Sequence, residues 1–209
     1  MKKDTNRKTE KVITVGTCTE YLIEYDGTVP EFNTRADLDA LCIEDNQLAY
    51  TKSGATITYT KETDELSDDL GKLRKTIMKS DAAKAKFGLF GWTGKTLEKL
   101  ESTARVEDKD GIRVTKIGGL GNDNGKQYML VMYHQDKQDG DCWWVLVGKN
   151  TAGMELAYSV DDGTKVEPEF TADSMDKDGT LVIFIEETEV DSVDPPKEPS
   201  GPGDDVNAG

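Results

Sequence analysis

The sequence of 209 residues contains one histidine, three cysteines and no long apolar run. A catalytic serine or cysteine is normally activated by a histidine, so His134 would have to be the base, and no nucleophile motif lies near it. Cys18, Cys42 and Cys142 are odd in number, far apart and form no CxxC pair. We therefore expect reduced thiols rather than disulfides or a zinc site, and no enzyme activity and no cofactor.

Long apolar segments are absent as well. None approaches the roughly 20 residues that a membrane-spanning helix needs. No apolar stretch follows the basic N-terminus, as it would in a signal peptide. The sequence therefore predicts no contact with membranes.

Basic residues are outnumbered, and the net charge is −15. Such a chain repels phosphate and will not bind duplex DNA by releasing counterions. The charge is uneven, because residues 1–11 are basic whereas residues 186–209 carry eight acidic residues against one lysine. The basic residues of the N-terminal arm are Lys2, Lys3, Arg7, Lys8 and Lys11. Four of the six prolines lie in the last fifteen residues, which predicts a flexible acidic tail over 191–209 behind a domain spanning 1–190.

Short β-rich runs bounded by Asx-Gly turns fill the rest of the chain. The runs are 56–60, 83–90, 112–117, 128–134, 142–148, 154–160 and 180–187. Regular short strands with such turns indicate an antiparallel β domain. One helix is clear over 92–102, where Trp92, Thr96, Leu97 and Leu100 lie near one face. The segment "DDLGKLRKTIM" fits a helix or a strand, and Gly71 favours the strand.

Three aspartates, His134 and Cys142 cluster in "HQDKQDGDCWW" (134–144), which raises the question of a metal site. Aligning Gly140 with the glycine of an EF-hand puts Gln135, Lys137 and Leu146 where carboxylates are needed. One histidine and one cysteine make half a zinc site at best. The stretch is better explained as a hairpin turn at Asp139-Gly140 between two strands.

Gly94-Lys95-Thr96 before a helix resembles the end of a P-loop, so a nucleotide-binding protein is one alternative function. The P-loop glycine would fall at position 89, however, where the residue is Leu89. A P-loop also needs a parallel sheet with several crossover helices. A surface helix starting at Thr93 and Gly94 explains the motif more simply.

Eight stretches together resemble the major tail tube proteins of long-tailed phages that infect Gram-positive bacteria. They are "EYDGTVPE" (24–31), "LAYTKSGATITYT" (48–60), "DDLGKLRKT" (68–76), "GWTGKTLEKL" (91–100), "ARVEDKDGIRVTKIGGLGN" (104–122), "HQDKQDGD" (134–141), "VGKNTAGMELAY" (147–158) and "DKDGTLVIFIEE" (176–187). The resemblance covers nearly the whole chain before the acidic tail. The segment "YSVDDGTKVEPEF" and the proline-rich C-terminus depart from it.

The resemblance implies a mainly β fold, a tail-tube-type β-sandwich or barrel packed by one α-helix. It also implies homo-hexameric rings that stack into a tube in the virion, through which DNA passes without specific binding. Tail terminator, tape measure and distal tail proteins would be further partners. A monomeric β-sandwich that binds carbohydrate or cell surfaces is the other alternative.

Two segments are predicted to reach neighbouring subunits in such an assembly. Five acids crowd the connection between strands 56–60 and 72–79, and long connections in compact domains are usually functional or disordered. These acids are Glu62, Asp64, Glu65, Asp68 and Asp69. The basic N-terminal arm is expected to order on an adjacent subunit, while the segment beyond Val190 stays mobile and forms no strand ladder.

Overall fold

A computed structural model describes residues 3–4, 16–136, 140–156, 158, 163–188 and 190–191. The strands of these residues are β1 (Lys3–Asp4), β2 (Thr19–Glu24), β3 (Tyr50–Ser67), β4 (Arg74–Phe90), β5 (Arg105–Lys109), β6 (Ile112–Lys116), β7 (Tyr128–His134), β8 (Cys142–Asn150), β9 (Lys165–Val166), β10 (Glu169–Asp173), β11 (Ile183–Glu186) and β12 (Val190–Asp191). The α-helices are α1 (Arg35–Asp39) and α2 (Gly94–Leu100), and 3-10 turns span Glu44–Asn46 and Leu120–Asn122.

The main sheet has eight strands in the order β2-β7-β8-β10-β4-β3, with β11 also pairing with β8 and β9 with β4. Every strand pair within the described part of the chain is antiparallel. The sheet curls into a half-barrel, and strands make up 48% of the described residues, whereas helices make up 11%. The predicted mainly β class is confirmed.

Both faces of the sheet are covered, because β7 and β8 are apolar on both sides. On one face Leu130 and Leu146 join a buried cluster that includes Leu97 and Leu100 of α2. On the other face Val131 packs in a second cluster. That cluster comprises Tyr21, Leu38, Met129, Val131, Trp143, Val145 and Val147. Burying each such side chain stabilises the fold by about 1.5–3 kcal/mol, so these central strands anchor the domain.

The central hairpin and the α2 helix lie where the sequence predicted them. β7 pairs with β8 so that His134 faces Cys142. Gly140 has a φ of 93°, which suits the predicted turn, while Asp139 lies outside the described residues. The segment from Arg74 onward is a strand, as Gly71 favoured.

Two expectations from the sequence are wrong. Residues 154–156 and 158, the described part of the predicted strand 154–160, are not in a strand. Met154 and Leu156 instead pack partly buried against the core cluster, and this contact explains their apolar character. The predicted loop between residues 60 and 72 is wrong for 61–67, because β3 continues to Ser67.

The chain ends also differ from expectation. The backbones of Lys3 and Asp4 pair with those of Asp191 and Val190. The predicted absence of a ladder beyond Val190 is therefore wrong for Asp191. Lys2, Arg7, Lys8 and Lys11 lie outside the described residues.

Candidate functional site

The most prominent surface feature is the far half of the β3–β4 hairpin, residues 60–82, which we call the projecting hairpin. β10 pairs with β4 only as far as Lys84, opposite Thr171. Beyond that point, within the described residues, β4 pairs with β3 alone, down to the pair Ser67–Arg74. At about 3.3 Å per residue, this two-stranded ribbon extends about 30 Å from the sheet.

Most of the acids that were predicted to contact a neighbouring subunit form ion pairs or hydrogen bonds with residues of this same ribbon. Lys79 Nζ lies 2.9 Å from Asp64, and an Arg74 guanidinium nitrogen lies 3.4 Å from Glu65. The Ser80 hydroxyl donates to Glu62 over 3.0 Å. Asp68 accepts a hydrogen bond of 2.8 Å from the backbone N–H of Leu73. Asp69 lies in the turn that joins the strands.

Four of the five acids therefore have a partner within their own hairpin. Cross-strand pairs of opposite charge stabilise a ribbon that has no third strand and no core beneath it. A two-stranded hairpin without such support is marginally stable in water. The acids therefore hold the ribbon in shape rather than forming a loose acidic loop.

The apolar side chains at the end of the ribbon form what we call the leucine tip, which consists of the exposed Leu66, Leu70 and Leu73 and the partly buried Ile77. Leu70 and Leu73 are 76% and 74% exposed. Residues two apart on a strand share a face, and Leu66 lies opposite Lys75, between Leu73 and Ile77. The Asp68 N–H bonds the Leu73 carbonyl, which continues the ladder to this residue. Leu66, Leu73 and Ile77 therefore line one face, with Leu70 at the turn.

At about 30 Å from the sheet, the exposed leucines of the tip are not buried against the core of their own domain. Apolar side chains grouped at an exposed site mark a surface that another protein covers. Charge pairs along the ribbon keep the tip extended and preformed, which lowers the entropy lost on binding. The position and exposure of the tip suit docking to another surface.

The cluster at 134–144 forms a structural network. The carboxylate of Asp141 is buried and accepts hydrogen bonds from the Tyr133 hydroxyl at 2.7 Å and the Asp136 N–H at 2.8 Å. Arg35 Nη2 lies 2.6 Å from the same carboxylate, and Arg35 Nη1 lies 2.8 Å from Glu187. These bonds tie the start of α1 to β8 and to the residue after β11.

The pKa values of Arg35 and Tyr133 are shifted by their contacts in this network. Burial by itself lowers the pKa of Arg35, but hydrogen bonds and charge from Glu187 and Asp141 outweigh it and raise that pKa. Burial, followed by the bond to Asp141, raises the pKa of Tyr133. The guanidinium stays charged and the phenol neutral, so the group acts as a clamp. Sequence reasoning missed Arg35, because a single arginine in a short helix carries no motif.

His134 is also buried and makes a hydrogen bond within its own chain. Its Nδ1 lies 2.9 Å from the Thr17 carbonyl oxygen, and the residue is 7% exposed. Across the described ranges, no three histidine, cysteine or acidic side chains are arranged to hold a metal ion. Cys18, Cys42 and Cys142, which are all described residues, form no disulfide.

The Gly-Lys-Thr motif at the start of α2 is accounted for by packing. The Thr96 hydroxyl donates to the Leu48 carbonyl over 3.3 Å and accepts from the Thr93 N–H over 3.1 Å. A Cβ at Gly94 would lie 2.3 Å from the Thr115 hydroxyl, so glycine is needed where β6 meets the helix. The hydroxyl that a P-loop uses for magnesium is buried in these contacts, and the strand before it is antiparallel to its neighbours.

Comparison with known proteins adds no further assignment. No protein-family model matches the chain, and no curated protein matches it. In the described part of the chain, no helix is long and apolar enough to cross a membrane.

Proposed function

We propose that this protein is a structural subunit that assembles with copies of itself, as stacked hexameric rings forming the tail tube of a long-tailed phage. The observation that carries the proposal is the projecting hairpin with its exposed leucine tip. The resemblance of eight sequence stretches to tail tube proteins supplies the specific assembly. The assembled tube would be a component of the virion and a conduit for DNA, and the protein would have no enzyme activity.

The shape of the hairpin favours open-ended assembly over a closed dimer. A tip that docks on a different surface of the next copy makes a heterologous contact, and such contacts build rings or filaments. The ribbon is long enough, at about 30 Å, to reach beyond its own domain. Each subunit would then offer its tip to one neighbour and an acceptor surface to another.

The charge of the chain fits a DNA conduit. A net charge of −15 disfavours attachment of the phosphate backbone, so DNA would pass without being held. The same repulsion opposes close packing of subunits at low salt. Apolar contacts such as the leucine tip would have to overcome it.

Electron microscopy of the concentrated purified protein tests this proposal. We expect rings or stacked tubes with a central channel. Sedimentation velocity across a range of concentrations provides the second measurement. A stable monomer at high concentration would instead favour a monomeric surface-binding module.

A further inference from the structure

The two edges of the curled sheet meet at one end, along what we call the seam. There the start of β3 and the residues before it run beside β2. Tyr21 and Gln47 form an antiparallel bridge, and the Leu48 N–H donates to the Glu20 carbonyl over 2.9 Å. The Thr51 hydroxyl donates to the Cys18 carbonyl over 2.6 Å. The seam thus joins strands that are the first and last in the sheet order.

A carboxyl group is buried in this seam. Glu20 has no exposed surface. The Cys18 thiol donates to Glu20 Oε1 over 3.3 Å, and Glu20 Oε2 is in hydrogen-bond contact with the Thr51 hydroxyl. An ionised carboxylate at such a site would be costly without a paired cation or several donors.

The number of hydrogens available in these contacts assigns the protonation state of Glu20. The Thr51 hydroxyl has one hydrogen, and the Cys18 carbonyl can only accept, so that bond uses the hydroxyl hydrogen. The contact between Thr51 and Glu20 then needs a hydrogen from the carboxyl group. A protonated Glu20 completes the ring, in which thiol, carboxyl and hydroxyl each donate once.

We propose that Glu20 keeps its proton in the folded protein and, with Cys18 and Thr51, forms a proton-dependent latch that closes the seam between β2 and β3. When the carboxyl group ionises, its hydrogen bond to Thr51 loses its hydrogen. A buried charge also appears beside the seam. The seam is then held by its backbone contacts and by the bond from the Thr51 hydroxyl to the Cys18 carbonyl.

The surroundings of Glu20 favour the neutral form. Burial raises the pKa of Glu20, and its hydrogen bonds to Thr51 and Cys18 only partly offset this. Burial, with Glu20 adding to it, raises the pKa of the Cys18 thiol to about 12, so the thiol stays protonated. Further titratable groups on this side are His134 on β7 and Cys142 on β8, which face each other next to the Cys18 end of β2.

The direction of the pH effect follows from this. A carboxyl group whose pKa is raised by folding stabilises the fold below its unfolded-state pKa, and this stabilisation is lost as pH rises towards the folded-state pKa. Glu20→Gln keeps the shape and both hydrogen bonds but cannot ionise. The free energy of unfolding of Glu20→Gln should therefore not show this decrease as the pH rises.

Two measurements test the latch. In the wild-type protein, the Glu20 carboxyl carbon is followed by NMR through a pH titration. Unfolding constants of wild type and Glu20→Gln are compared from about pH 5 to about pH 8. Glu24→Gln is the matched control, because Glu24 lies on the same strand but is exposed and pairs with Lys126 at 2.8 Å.

We expect the carboxyl to titrate above the ordinary glutamate value of about 4.3. The wild-type unfolding constant divided by that of Glu20→Gln should rise with pH by up to about tenfold per unit until Glu20 ionises. The ratio for Glu24→Gln should not rise in this way. A Glu20 midpoint at or below the ordinary value, or a flat ratio for Glu20→Gln, would overturn the proposal. If Glu20→Gln does not fold, the wild-type titration decides alone.

Discussion

Arg35 Nη2 lies 2.6 Å from Asp141 Oδ2, with the aspartate buried and the arginine half-exposed. The guanidinium carbon also lies 5.7 Å from the ring centre of Trp143. One side chain thus joins α1 to the start of β8 and covers the buried indole. Because α1 is only five residues long, this clamp, together with Leu38, holds the helix on the sheet.

Arg35→Ala should lower the free energy of unfolding by about 1–2 kcal/mol, because it leaves the buried Asp141 carboxylate without its cation. The value is at the low end for buried pairs, since Arg35 is half-exposed and Asp141 keeps two other hydrogen bonds. Urea unfolding measures it. Asp39→Asn is the control, because it removes only an exposed contact of 3.6 Å to the same arginine and should change little. Equal losses in both variants would contradict the clamp.

Gly148→Ala should destabilise the protein by about 2–4 kcal/mol. A Cβ at Gly148 would lie 2.0 Å from the Thr171 carbonyl oxygen, so β8 and β10 would have to separate. Gly121→Ala is the matched control, because its Cβ would meet nothing within 4 Å. Thermal unfolding of the two variants compares them. A Gly148→Ala protein as stable as Gly121→Ala would show that the strands are less closely packed than described.

The sequence predicted the parts of the fold that bury apolar side chains. β7, β8 and α2 show clear apolar runs or periodicity, and the structure places them in the core. The projecting hairpin was missed because both of its faces are in water. Strand pairing there depends on backbone hydrogen bonds and cross-strand charge pairs, which leave no apolar alternation in residues 61–67.

The sequence predicted where the candidate site lies in the chain but not which side chains are exposed there. The segment around Glu62–Asp69 was chosen for its acids, whereas the exposed groups at its end are leucines. Leu66, Leu70 and Leu73 have the i, i+4, i+7 spacing of a helix, so their spacing alone does not predict a group at the end of a β-hairpin. Their grouping becomes visible only once the register of β3 and β4 is known.

The protein should not bind nucleotides. Equilibrium dialysis with magnesium-ATP is expected to give no binding, because the Thr96 hydroxyl is occupied by Leu48 and Thr93. Lys95 is exposed, so Lys95→Ala should also leave stability within about 0.5 kcal/mol of wild type. Binding of magnesium-ATP that Lys95→Ala abolishes would contradict the first statement, and a larger loss of stability in Lys95→Ala would contradict the second.

The two chain ends should contribute unequally to assembly. Removing residues 2–11 is expected to weaken it, more visibly at low salt, because the basic arm would act through charge. Removing residues 191–209 should leave it unimpaired, although Asp191 pairs with Lys3. Sedimentation at two salt concentrations measures both truncations. A dispensable N-terminus with an essential C-terminus would reverse the assignment.

The most direct test of self-assembly through the leucine tip is sedimentation velocity of a triple variant, with electron microscopy of the same samples. The variant combines Leu66→Thr, Leu70→Thr and Leu73→Thr. Leu120→Thr is the control, because Leu120 is also exposed but lies on a separate 3-10 turn. We predict that wild type and the control form rings or tubes, while the triple variant stays monomeric with an unchanged melting temperature. Rings or tubes formed by the folded triple variant as readily as by wild type would contradict the account.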